Sequence, residues 1–286
     1  MKLALLKRTI ISIILAAALL PVSLAFGGLP GPLPPPPPAI PTPPITGYDY
    51  YKTDAAPAGD PADQIEFAPT GKSSMIAEYG GTGNVNQYAA GDVGNDWLLQ
   101  VGGEKNSNQG GSAGSGNDTV YQFGGKGESI QYADGGPGNK IFIQVGGSGK
   151  NNMTIRGGTG QNSIEQYGGR GDNIIEAKGG HSDDIIKIYG GPGKNTIQYN
   201  LTAGNDVVTI LGGVGHSTLT INQDGQNLTL KDYQGDVLFK IGDGGTTITV
   251  ANLQRITVIG DAGKPIFTYN AGIVPSSIAP LLLLVD

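Results

Sequence analysis

Gly-Gly pairs begin at residues 80, 102, 124, 146, 168, 190 and 212, so the same element returns with a fixed 22-residue period. A fixed period of this size requires a repeat architecture, in which one small unit stacks on the next. A second series of turn glycines lies halfway between, at Gly94, Gly116, Gly138, Gly160 and Gly204, with Ser182 in the equivalent place. Each unit therefore has two 11-residue halves, as in GGPGNKIFIQV (135–145) followed by GGSGKNNMTIR (146–156). Each half reads as a glycine turn and then a strand of about five residues, too short to bury a face alone. Stacking coils at about 4.8 Å pairs each strand with its own copy. The expected fold is all-β: a parallel two-sheet β-solenoid, or β-roll, with 22-residue coils.

Side chains alternate across a strand, so parity assigns the faces. Leu98, Val120, Phe142, Ile164, Ile186 and Val208 stand four residues after the turn glycine, and Met153, Ile175, Ile197 and Leu219 are their counterparts in the other half. These files form the expected core. Gln100, Gln122, Gln144 and Gln166 share the inward parity, as do Gln87, Gln109 and Gln131 in the other half. Stacked amides inside a solenoid can hydrogen-bond from coil to coil, so both sets are read as inner ladders. Outward turning of these glutamines would bring Glu165 and Lys187 inside instead. A further file precedes each Gly pair: Tyr79, Val101, Phe123, Val145, Tyr167, Tyr189 and Leu211. It forms an apolar rail on the outside or at the corner, read either as an interaction surface or as the seat of a terminal segment.

The ends of the chain differ from the repeat. Lys2, Lys7 and Arg8, the apolar run from Thr9 to Leu20, and Ser23-Leu24-Ala25 compose a signal peptide at 1–25. Residues 26–47 form a Pro-rich linker, in which Pro excludes a sheet ladder and favours an extended polyproline II spacer. Residues 48–75 read as an irregular N-terminal cap, 76–222 as the roll, 223–271 as a C-terminal β region closing it and 272–286 as an apolar tail. The expected location is extracellular or at the cell surface, with no transmembrane span in the mature chain. The chain has no Cys, so disulfides, zinc thiolates and thiol nucleophiles are excluded. A formal net charge of −6 argues against a nucleic-acid partner.

GSGNDTV (114–120) and AGNDVV (203–208) resemble the RTX (repeats-in-toxin) nonapeptide GGxGxDxUx, and 227–259 resembles the tail after such arrays. That resemblance implies a β-roll with calcium between stacked turns, held by the Asp of the motif and by turn carbonyls. The Asp place is filled by Asp96, Asp118, Lys140, Asn162, Asp184 and Asp206 on one edge, so Asp96/Asp118 and Asp184/Asp206 are the candidate Ca2+ pairs. The other edge carries Val85, Ser107, Ser129, Asn151, Asn173, Asn195 and Ser217, suited to metal-free ladders. The 22-residue unit, the glutamine files and the N-terminal signal are also similar to the curlin repeat of bacterial fibres.

Nothing in the chain assembles a catalytic motif. His181 and His216 lie in turns, and no HExxH or G-x-S-x-G occurs. Glu165, Arg170, Asp172, Glu176 and Lys187 would have to share one sheet face to act on a polysaccharide. The expectation is a secreted, non-enzymatic roll with a structural or adhesive role. Its partner would be itself, another extracellular protein or a polysaccharide. A calcium-responsive module, a fibre subunit and a carbohydrate-active solenoid are the alternatives.

Overall fold

The computed structural model describes residues 33–55, 62–223, 228–233, 237–241, 246–260 and 262–270. The signal peptide, the start of the linker and the apolar tail lie outside them. Among the described residues there is no helix, and the strands form an 11-stranded and a 10-stranded sheet. The first sheet contains Ser74–Tyr79, Trp97–Val101, Asp118–Phe123, Lys140–Val145, Asn162–Tyr167, Ile185–Tyr189 and Val207–Leu211. The second contains Val85–Ala90, Ser107–Ser112, Ser129–Asp134, Asn151–Arg156, Asn173–Lys178, Asn195–Asn200 and Ser217–Asn222. The chain passes from one sheet to the other at every turn, and these strands pair in parallel with their copies one coil away.

The register is that of the period. Leu98 lies beside Val120, Val120 beside Phe142, Phe142 beside Ile164, Ile164 beside Ile186 and Ile186 beside Val208. This file meets Met153, Ile175, Ile197 and Leu219 from the second sheet in one continuous core. Each fully buried aliphatic or aromatic side chain contributes about 2 kcal/mol by leaving water. Glycine is required where turns stack. A Cβ on Gly116 (φ +133°) would stand 1.6 Å from the carbonyl oxygen of Gly94 in the preceding coil, which no side chain can occupy.

Within 48–75 the described residues include two strands where the composition suggests irregular structure. Tyr50–Ala55 pairs in parallel with Ser74–Tyr79, and Ala62–Phe67 with Val85–Ala90, adding a further coil. Its inward positions are polar: Tyr50, Lys52 and Asp54 align with Ser74, Ile76 and Glu78, and Glu66 aligns with Ala89. Tyr50 donates its hydroxyl to Glu66 at 2.5 Å, and Lys52 stands 3.7 Å from the same carboxylate. Inward charges at a terminal coil resist the docking of another coil on it.

The other end is closed by a change of direction. In the first sheet the neighbour of Val207–Leu211 is Thr247–Ala251 rather than the segment one period on, because a hairpin intervenes. That hairpin, Leu228–Tyr233 and Val237–Ile241, pairs antiparallel onto Thr247–Ala251. In the second sheet Arg255–Ile259 continues the stack and Pro265–Asn270 covers it antiparallel. The described strands of the C-terminal β region thus continue the stack and then reverse direction.

Candidate functional site

The acid file runs along one edge, and its members are buried. Each carboxylate accepts from at least one backbone N–H group. Asp96 accepts from the Ser74 N–H at 2.7 Å and the Asp92 N–H at 3.1 Å. Asp118 Oδ1 accepts from the Asp96 N–H at 2.8 Å. Asp184 accepts from the N–H of Asn162 at 2.7 Å, from its amide at 2.9 Å and from the Gly180 N–H at 2.5 Å. Asp206 accepts from the Asp184 N–H at 2.9 Å, the Tyr199 hydroxyl at 3.0 Å and the Thr202 hydroxyl at 3.2 Å. Burial raises the pKa of all four, that of Asp206 to about 6. The remaining oxygen, Asp118 Oδ2, lies 2.7 Å from Lys140 Nζ.

A calcium ion needs six to eight oxygens converging on one point. Here the carboxylate oxygens of both expected pairs are already directed at donors, and among the described residues no three His, Cys, Asp or Glu side chains gather around a point. The residues do not fit the ion that the RTX resemblance implies.

The opposite edge is a ladder of neutral side chains, as its composition predicts. Asn151 donates to Asn173 and Asn173 to Asn195, both at 2.8 Å, and Asn195 donates to Ser217 at 3.0 Å. Each Asn oxygen also accepts a turn N–H, for instance that of Gly147 on Asn151 at 2.7 Å. The serine hydroxyls of Ser107 and Ser129 meet at 3.0 Å.

The glutamines point inward and form two ladders. In the first sheet Gln166 donates to Gln144 at 2.9 Å, Gln144 to Gln122 at 2.7 Å and Gln122 to Gln100 at 2.8 Å. In the second sheet Gln131 donates to Gln109 and Gln109 to Gln87, each at 2.9 Å. Each amide also reaches a carbonyl of the facing sheet, as Gln122 does Tyr132 O at 2.9 Å. The ladders extend one coil beyond the sequence reading, to Glu78 and Gln64. Glu78 was legible from its place one period before Gln100, whereas Gln64 precedes Gln87 by one position more and falls out of phase.

The rail faces outward, but much of it is covered. Phe123 is 5% exposed, Tyr167 and Tyr189 are 8% and Leu211 is 7%, while Tyr79, Val101 and Val145 are half-buried. The Pro-rich segment lies along it. Leu33, Pro34, Pro35 and Pro37 share a cleft with Tyr167 and Tyr189, and Pro37 and Ile40 share another with Val101, Phe123 and Val145. Tyr48 then packs on the outward cluster of Met75, Ala77, Trp97 and Leu99. Of the two readings of the rail, the described residues match the one in which a terminal segment occupies it. The described part of the linker thus borders the rail, as a segment without regular secondary structure.

Among the described residues nothing covers the outer face of the second sheet. Phe67 is 61% and Tyr88 40% exposed, with their rings 5.8 Å apart. Tyr132 lies under the Arg156 guanidinium at 5.7 Å. Adjoining Tyr132 through Arg156, and beginning two coils beyond Tyr88, an open groove of about 1110 Å³ runs across successive coils, lined by Asp134, Arg156, Lys178, His181, Asn200 and Asn222 among others. It occupies the place on this sheet that the proline segment borders on the other. The residues at the place of the rail in this half are polar, Ser112, Asp134, Arg156, Lys178, Asn200 and Asn222, and all but Ser112 line the groove.

The charged residues that a lyase-like site would need are not brought together. Glu165 and Lys187 pair at 2.7 Å on the outside of the first sheet, whereas Glu176 lies on the second and accepts from Asn200 at 2.9 Å. Arg170 and Asp172 belong to a turn, and His181 and His216 are exposed turn residues. No helix among the described residues is long and apolar enough to cross a membrane. No family model matches the chain, and neither a curated protein nor a solved structure does. Fold and geometry therefore define its class as a parallel β-solenoid, and the RTX and curlin resemblances rest on the quoted residues alone.

Proposed function

We propose that the chain is an exported, non-enzymatic solenoid that serves as a rigid structural or adhesive element outside the cell, gripping an extended polysaccharide with the outer face of its second sheet. The observation that carries this reading is the contrast between two equivalent grooves. One holds the chain's own proline segment, and among the described residues the other is open and polar. Tyrosine rings offer a face to the C–H side of a sugar, and the amide and charged files offer hydrogen bonds to its hydroxyls. The basic and apolar N-terminal sequence supports export.

A fibre subunit is the second reading, and both ends of the roll weigh against it. Inward charges occupy the first coil, and antiparallel strands cover the last. Cosedimentation of the purified chain with a panel of insoluble polysaccharides tests the proposal. Retention by at least one of them is expected. Changing Tyr88→Ala and Tyr132→Ala together should weaken it on the order of tenfold with unchanged circular dichroism. Retention by none, or undiminished retention of the double variant, would overturn it.

A further inference from the structure

Lys140 stands in the middle of the acid file, and it is the cation there. Its ammonium and the Asp118 carboxylate are both 0% exposed and 2.7 Å apart. It also donates to two turn carbonyls, Gly116 O at 2.5 Å and Pro137 O at 2.8 Å. Gly116 belongs to the preceding coil and Pro137 to its own, so the ammonium ties one turn to the next. A carboxylate and two backbone carbonyls converging between stacked turns is an oxygen set of the kind a hard cation takes. An ammonium has three donors, and three partners meet them here.

The charge balance on either side points the same way. Every other carboxylate oxygen of the file is satisfied by N–H or hydroxyl donors, so only Asp118 Oδ2 depends on a cation. That oxygen has no other hydrogen-bond donor. A buried ammonium in this setting is stable only because its partners are fixed and complete, and removing one partner leaves an uncompensated buried charge.

We propose that Lys140 is a tethered cation that does between these coils what a bound divalent ion would do, so that the roll folds and remains folded without calcium. Thermal unfolding followed by circular dichroism tests this on the mature chain, in excess chelator and in millimolar calcium. The two wild-type curves should superimpose. Lys140→Met should lower the midpoint by roughly 10 °C in both media, because Asp118 keeps its buried charge. Combining it with Asp118→Asn should recover most of that loss, since charge and counter-charge leave together. A wild-type midpoint that rises with calcium would overturn the proposal. So would a single variant as stable as wild type, or a double variant no better than the single.

Discussion

Replacing Glu78 by Gln is expected to stabilise the roll at neutral and alkaline pH and to leave it nearly unchanged near pH 4.5. Glu78 occupies the ladder position held one coil on by Gln100, whose amide it accepts at 2.9 Å. In the first sheet, each glutamine of the ladder also donates to the carbonyl ten residues ahead: Gln100 to Gly110, Gln122 to Tyr132, Gln144 to Thr154 and Gln166 to Glu176. By the same spacing Glu78 would address Tyr88 O, and an ionised carboxylate has nothing to donate. Its Oε1 is buried without a partner. Burial, with smaller contributions from Asp54 and Glu66, raises its pKa to about 7 against the Gln100 hydrogen bond. A carboxyl raised in the folded state holds its proton more tightly there than in the unfolded chain. Its stabilisation is complete below about 4.5 and is lost as pH rises through about 7. The loss amounts to about 3 kcal/mol at full ionisation. Gln at this place removes that slope and supplies the missing donor. Urea unfolding at about pH 5 and about pH 8 checks it. Equal stability of the two proteins at the higher pH would show that Glu78 carries no such strain. Asp206, raised to about 6, gives a residual slope of the same sign that the variant should keep.

The reverse experiment breaks a ladder in its middle. Gln122→Leu should cost about 2–5 kcal/mol, because it strands polar groups on both sides of the gap. Gln144 loses its acceptor, Gln100 Oε1 its donor and Tyr132 O its amide. Gln166→Ile should cost roughly half as much or less. Its Oε1 is already without a partner, and the next residue in the file is Ile188, so only the end of the ladder is shortened. Equilibrium unfolding of both variants reads the difference. Equal costs would mean that the amides act singly rather than as a connected chain.

The fold was legible because its period is written twice, in the Gly pairs and in the inward files. Parity alone then separated Leu98, Val120 and Phe142 from the outward rail. The coils at the ends were hidden for physical reasons. The first has no Gly pair and turns Lys52, Asp54 and Glu66 inward, contrary to the core pattern, and among the described residues no further coil lies on it. The last is displaced by the hairpin, so Val207 pairs with Thr247 and the period is interrupted. The acid file shows a different limit. A column of Asp reads the same whether its oxygens meet metal ions or backbone N–H groups, and only geometry separates the two. Lys140 was the visible sign, since a cation in such a column must find its oxygens nearby. The rail likewise could not reveal from its own residues that the proline segment covers it.

Stacking of equivalent positions is the central claim, and the absence of Cys allows a direct test. Ser107 and Ser129 have their hydroxyls 3.0 Å apart on adjacent coils, although 22 residues separate them. Changed together to Cys, they should form a disulfide under mild oxidation, since adjacent strands lie about 4.8 Å apart, within disulfide reach. Cys at Ser107 and Ser217, in the same file but not on adjacent coils, should stay reduced within the monomer. Efficient closure of the first pair and none of the second is the predicted result. Failure of the first pair to close, or equal closure of both, would contradict the stacked roll.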